Sequence, residues 1–365
     1  MNKSFHIFSD VGYSGYQHVN QFLFRHISNA DKNIECTFLS RFVMNYPNVK
    51  SVLVNMLSKY TGCKSLTQEF EPIYNSFENK VINIPPSNSW FDYFNSYIVS
   101  LQIPKKRDIA ITFVPSRSLA KLHNSYNKLI YYCVHDSHNQ RYPKFNRKYE
   151  MELSKKSSLV FCDNLVVLER LSEGQKKIDI SNFCERELLI FQKNGIKFFY
   201  VPPPVPDVFF SDKDSSNTKF DFCYFGSIHS NIEQNVLEKI CKEGFRLKVI
   251  SSQKLNFEHE NLYLDNPTTD MAVLKRKVDQ CRAIVLPYDN SDFMSTISPA
   301  KIYQSLSFNL PVFCSNSKLT SEFKLLDIRN DMIIPTNSKK IVNNVYKYSC
   351  SKLMNKVTLL IKHSK

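Results

Sequence analysis

At 365 residues the chain exceeds one typical hydrophobic core, so two domains are expected. With 42% hydrophobic and 22% charged residues it is globular and not intrinsically disordered, and no run approaches the roughly 18 uninterrupted apolar residues of a membrane span. Its 48 basic against 34 acidic residues leave a net charge of +14, which implies an anionic partner: nucleic acid, an anionic membrane face or a phosphorylated substrate.

The first half opens with a short strand, Phe5–Phe8, and a Gly/Ser-containing turn over 9–15, then a helical segment near Val19–Ile27. Two apolar runs, Ile109–Val114 and Leu129–Val134, and a third at Leu159–Cys162 read as strands. Helical segments at Tyr149–Lys155 and Asn164–Leu171 separate the later ones. Strands of this length alternating with helices predict a parallel α/β sheet with helices on both faces. Prolines 202, 203, 204 and 206, followed by the polar SDKDSSNTK, mark an exit strand and then a boundary. A second alternation follows: strand Phe220–Phe225, helix Asn231–Glu243, strands Arg246–Ser251 and Asn261–Leu264, helix Thr269–Gln280 and strand Ala283–Pro287. Next comes STISPAKIYQSLSFNLPVFCS (295–315). Ser298 suits an N-cap, Pro299 the first helical position and Asn309 a left-handed stop, and Pro311–Cys314 reads as a buried strand. Two doubly wound units in succession place a ligand in the cleft between them, outside the carboxyl ends of the strands.

Lys301 is the anomaly in that stretch, because a cation in a helix's first turn opposes the helix dipole unless an anion sits there too. Gly226 and Ser227, directly after a strand, form a turn at which backbone can approach a phosphate. Pro287 and Tyr288 close another strand and open a polar loop running to Ser298. Gln304 lies one turn beyond Lys301 on the same helix face: Lys can neutralise phosphate and Gln can hydrogen-bond a sugar or ribose hydroxyl. Equally, Lys301 reads as a solvated surface cation and Gly226 as a steric turn. Near the front, Tyr13, Ser14, Gln17 and His18 lie in a polar, aromatic loop that matches no dinucleotide fingerprint. The ten cysteines, most of them in apolar runs, show no metal spacing and read as core residues of a reducing compartment. The start MNKSFHIFSD has no signal-peptide apolar region, so a cytoplasmic location is expected. Seven lysines and no acid in 338–365 form either a basic helix surface or a docking face for an anionic membrane. No helix-turn-helix, zinc or RNA-recognition signature supports nucleic-acid binding.

Taken in order, FDFCYFGSI, NLYL, CRAIVLPY and SPAKIYQSLSFNLPVFCS resemble the donor-binding domain of the GT-B glycosyltransferases, whose pattern ends P-x-K-x-x-E-x-L-x-x-x-x-P-V. GIKFFYVPPPVPDVFF resembles that superfamily's interdomain stretch. LIYYCVHDSHNQ and KYEMELSKKSSLVFCDNLVVLERL resemble its acidic-pair region. The likeness covers roughly 100–315. It implies an α/β GT-B fold: two Rossmann-like doubly wound domains facing each other across a cleft, with an acceptor domain at 1–205, a nucleotide-sugar domain at 206–345 and a basic C-terminal helix at 346–365.

The implied activity is transfer of a sugar, with a UDP-sugar expected as donor, to a glycan or lipid-linked glycan in surface polysaccharide synthesis. This would occur at or near the inner membrane face, with no cofactor and no metal. Donor contacts are expected from Gly226, Ser227, Pro287, Tyr288, Ser295, Thr296, Ser298, Lys301 and Gln304, and acceptor contacts from Tyr13, Ser14, Gln17 and His18. Retaining members carry an E-x7-E pair where this chain has Thr296 and Gln304. A Lys-x-x-Gln arrangement resembles instead the xanthan-type glucuronosyltransferases, which are inverting. Inversion needs a base for the acceptor hydroxyl. Asp136, just past a strand's carboxyl end, is the first candidate and His135 the second, with a structural cap as the competing role for Asp136. A noncatalytic nucleotide- or glycan-binding protein on the same fold is the alternative.

Overall fold

The computed structural model describes residues 3–9, 13, 18–30, 34–40, 81–83, 97, 101, 103, 107–115, 119, 123–134, 136, 143–173, 189–211, 218–291, 294, 300–330, 332–335, 346 and 348–363. His135, Ser14, Gln17, Ser295, Thr296 and Ser298 lie outside the described residues. The chain divides into two compact units. One is built on Met1–Lys176 and Leu188–Val201 and takes in Val357–Lys365, and the other is built on Pro202–Lys356. The crossing thus falls at the head of the proline run, four residues earlier than the expected 205/206, and the last helix is divided between the units.

The first unit holds β1 (Lys3–Phe8), α1 (Val19–Ala30), β2 (Ile34–Ser40), β3 (Val81–Asn83), β4 (Ile109–Thr112), β5 (Lys128–Cys133), α2 (Pro143–Lys156), β6 (Leu159–Cys162), α3 (Leu165–Leu171), β7 (Leu189–Lys193) and β8 (Ile196–Tyr200). Its sheet runs β3-β2-β1-β4-β5-β6-β8-β7, parallel except for the antiparallel edge pair β7/β8. The strands β4 and β6 are buried along their full length, as expected for a parallel sheet covered on both faces. Asn194 and Gly195, both at positive φ (+50° and +80°), turn β7 into β8 as a two-residue hairpin loop. Asn164 caps α3 by accepting the Val167 N–H at 3.0 Å, which fixes the turn directly after β6.

The second unit holds β9 (Phe220–Phe225), α4 (Gln234–Lys242), β10 (Leu247–Ile250), β11 (Leu262–Asp265), α5 (Met271–Asp279), β12 (Cys281–Leu286), α6 (Ala300–Ser307), β13 (Val312–Cys314), α7 (Ser317–Phe323), β14 (Leu326–Asp327) and the first half of the last helix, α8 (Cys350–His363). All six strands are parallel, in the order β11-β10-β9-β12-β13-β14. Ranked by sequence this is 3-2-1-4-5-6, the strand order of the doubly wound Rossmann fold, and the first six strands of the other unit follow it too. The core packs Phe222, Tyr224, Ile284 and Phe313 from the strands against Leu237, Val278, Ile302 and Tyr303 from the helices. Asn309 adopts φ +55° just past α6, the left-handed stop its type suits. Every described cysteine is free, and all but Cys350 are buried. Among the described residues no helix is long and apolar enough to cross a membrane.

The strand order fixes where chemistry belongs. Neighbouring strands whose crossovers run in opposite directions leave a crevice beyond their carboxyl ends. In the second unit those strands are β9 and β12, which end at Phe225-Gly226 and Leu286-Pro287.

Candidate functional site

The switch point of the second unit brings three sequence motifs together. Gly226 closes β9 at φ +127°, a backbone conformation that side chains other than hydrogen rarely adopt, with its N–H donated to the Ile250 carbonyl at 2.9 Å. A Cβ at this position would collide with Cε and Nζ of Lys301. The ammonium therefore occupies the space that a side chain at 226 would fill. Lys301 enters from the first turn of α6, whose neighbours Ile302 and Tyr303 are buried in the core and anchor the helix. Burial pulls the Lys301 ammonium below its usual pKa, and among the described residues no carboxylate pairs with it. Burying a cation without a partner is costly, and a bound anion at this switch point would offset that cost.

Two loops are joined around this cation. The Glu233 N–H donates to the Pro287 carbonyl at 2.8 Å, the Asp289 N–H to the Asn231 carbonyl at 3.0 Å, and Ile232 bridges Tyr288. The Asn231 amide donates to Asp289 and to Ser291 Oγ, both at 3.1 Å. Burial works against the Asp289 carboxylate, but hydrogen bonds from Ser291 and Asn231 outweigh it and hold its pKa below the usual range. From the next strand, Ser315 Oγ donates to the Tyr288 carbonyl at 2.8 Å. Tyr288 itself is buried, so it and Pro287 act as scaffold beneath the loop. Ser227 is exposed, and its carbonyl accepts the Tyr224 hydroxyl at 2.6 Å. Gln304, one turn beyond Lys301, is half-buried, and its side-chain amide makes no hydrogen bond among the described residues.

Sequence reading missed His229. It lies three residues past Gly226, exposed, and burial followed by the charge of Lys301 depresses its pKa, with Asp289 opposing. Its Nδ1 accepts the Asn231 N–H at 3.3 Å, so in the neutral ring Nε2 carries the proton and is a donor. No spacing in the sequence marks it, because its relation to Lys301 spans more than seventy residues.

In the first unit, Asp136 lies past the end of β5 as expected, but its carboxylate is engaged. Oδ1 accepts from Arg170 Nη1 at 2.6 Å, and Arg170 Nη2 also donates to Glu150 at 3.0 Å. Glu150, fully buried, further accepts from the Tyr131 hydroxyl at 3.1 Å. The Asp136 carboxylate thus sits in a buried charge cluster with Arg170 and Glu150, the bracing role that the sequence also allowed it. Tyr13 also departs from expectation. Its ring meets Phe24 and Phe38 edge-on at 5.5 and 5.4 Å, Arg25 lies 5.6 Å from its centroid, and its hydroxyl accepts from Arg25 Nε at 3.0 Å. These neighbours place the ring in the protein's own aromatic cluster. His18 is exposed, and its carbonyl accepts the Gln21 and Phe22 N–H groups at the start of α1.

No known protein-family model matches the sequence, and no curated protein matches it. Solved structures do match the fold. Staphylococcus aureus MnaA, solved with UDP, is 14% identical over 100% of this chain and 96% of its own, with a TM-score of 0.52. Anabaena HepE, in complex with UDP and glucose, is 9% identical over 100% and 96%, with a TM-score of 0.52. The E. coli trehalose-6-phosphate protein bound with UDP-2-fluoro glucose is 8% identical over 99% of each chain, with a TM-score of 0.54. The fold is that of the GT-B glycosyltransferases.

Gly226→Ala should cost about 1–3 kcal/mol through backbone strain and displace the Lys301 ammonium, read as a lower urea midpoint. Arg170→Met removes the guanidinium from two buried carboxylates and should cost about 3–5 kcal/mol in the same measurement.

Proposed function

We propose that the chain is a glycosyltransferase that moves a sugar from a nucleotide diphosphate donor, a UDP-sugar, to a glycan or lipid-linked glycan of surface polysaccharide. The observation that carries this reading is the Lys301 ammonium, without a carboxylate partner among the described residues, seated against Gly226 at the β9/β12 switch point. An anionic diphosphate there compensates the ammonium that burial disfavours, and the glycine lets phosphate oxygens approach the backbone. As the sugar departs, negative charge grows on the leaving diphosphate, and a preplaced cation stabilises that change without reorganising.

In this reading Ser227 and His229 lie on the loop beside the phosphates, while Gln304 reaches the nucleotide or the sugar. Ser295, Thr296 and Ser298 belong to the segment that leads into α6. Support for inversion comes from residue type: Thr296 and Gln304 stand where retaining enzymes carry carboxylates, so the reaction proceeds in one displacement with a base from the first unit. The acceptor hydroxyl attacks the anomeric carbon while the diphosphate leaves from the opposite face. Such a reaction calls for no cofactor. The lysines of 338–365 fit work on a lipid-linked acceptor at the cytoplasmic membrane face.

Calorimetry with UDP, GDP and ADP tests the reading directly. UDP should bind, and Lys301→Met should weaken it by about 10- to 100-fold, the worth of a hydrogen bond between charged groups. Affinity should fall as alkaline pH removes the Lys301 proton, which its lowered pKa brings closer to neutrality. No binding by any nucleotide would end the proposal. Binding without release of UDP from UDP-sugars in the presence of membrane extract would leave a nucleotide-binding protein instead.

A further inference from the structure

The loop beyond β9 places a histidine ring beside the Lys301 cation, within the second unit alone. His229 lies three residues past Gly226, and three residues of chain span at most about 11 Å. Its backbone therefore stays within that reach of the glycine against which the Lys301 ammonium rests. Among the described residues, the charges that act on the ring are Lys301 of α6 and Asp289 of the loop beyond β12. Asp289 accepts from Ser291 and Asn231, and Glu233, at the start of α4, is paired with Arg329 at 2.8 Å.

Backbone and side-chain bonds hold this ring in one orientation. The Ile228 N–H donates to the Gln253 side chain, from the loop beyond β10, and the Ile232 N–H donates to the His229 carbonyl at 3.0 Å. Asn231 meets the imidazole itself, its N–H donated to Nδ1 at 3.3 Å, while its side-chain amide binds Asp289 and Ser291 across the loop. A ring nitrogen that accepts cannot carry the proton of a neutral imidazole, so the proton sits on Nε2. His229 is exposed, and among the described residues its Nε2 makes no hydrogen bond. The loop thus presents a donor of fixed tautomer, on backbone tied at 228, 231 and 232, next to a cation.

We propose that His229 is a binding residue for the diphosphate, donating its Nε2–H to a phosphate oxygen while Lys301 supplies the charge. This inference rests on the reading of the β9/β12 switch point as a diphosphate site. Partial burial and then the charge of Lys301 hold the imidazole pKa below its usual value, with Asp289 opposing, so the free protein carries a neutral ring near pH 7. A neutral donor beside an ammonium adds a directed hydrogen bond without like-charge repulsion. An anionic acceptor makes that bond a strong one.

The test uses the full chain and three probes, UDP, inorganic pyrophosphate and uridine, in calorimetry at about pH 7.5, with nitrogen NMR of the histidine rings in parallel. His229→Ala should weaken UDP and pyrophosphate by about 10-fold each, the size of a hydrogen bond to a charged group, and leave uridine unchanged. His229→Gln, whose amide N–H can reach the same oxygen, should recover most of the loss, and His229→Leu should recover none. The wild-type ring should carry its proton on Nε2 before UDP is added. Unchanged affinity for UDP and pyrophosphate in His229→Ala would overturn the assignment. So would an equal loss for all three probes, which marks a collapsed loop, or a neutral ring protonated at Nδ1. A wild type that binds none of the probes would end the diphosphate reading and this contact with it, an outcome distinct from a wild type that binds UDP and pyrophosphate no more tightly than His229→Ala.

Discussion

The second unit depends on one packing relation: a lysine ammonium occupying the volume that a glycine leaves empty. Gly226 can adopt φ +127° and carries no Cβ, so the Lys301 stem can pass beneath the end of β9 and bring its charge to the switch point. Neither residue has that meaning alone. A glycine at a strand end is a common turn, and a lysine in a first turn is an electrostatic liability. Packed together they form a cation with no carboxylate partner among the described residues, at the place where Rossmann sheets hold their ligands.

The surrounding loops keep that cation in place. Backbone bonds between 231–233 and 287–289, reinforced by Asn231, Asp289 and Ser291, make the two loops beyond β9 and β12 a single joined surface. The Asp289 carboxylate accepts from Ser291 and Asn231, which commits it to the loops. His229, whose pKa falls under burial and the same lysine, adds a neutral donor to the site without adding charge.

The first unit shows the opposite use of charge. Arg170 joins Asp136 and Glu150 beneath the ends of β5 and β6, and Tyr131 completes the set. Buried ions paired in this way bring order more than net stability, and they tie α2 and α3 to the strands they follow. The neighbouring carboxyl of Asp163, left out of that network, is the one whose proton affinity burial has raised.

The amino-acid sequence determined the alternation of strands and helices and the limits of most of them, because apolar period, caps and stops are local. Ser298-Pro299 and Asn309 bracket α6, and the buried runs at 109–114, 129–134, 159–162, 220–225 and 283–287 all contain strands. It missed β2, β3 and the β7/β8 hairpin, whose segments carry weaker periodicity, although the Asn194-Gly195 turn was a readable signal. It also singled out Gly226, Pro287 and Lys301. Only the tertiary structure decided what these residues are for, because their roles rest on contacts across long sequence separations. Lys301 reaches Gly226 across seventy-five positions, Arg170 holds Asp136 across thirty-four, and the Tyr13 ring lies against Phe38 from another strand. Charge and residue type are properties of the sequence, whereas whether a charge is paired, buried or free is a property of the packing around it.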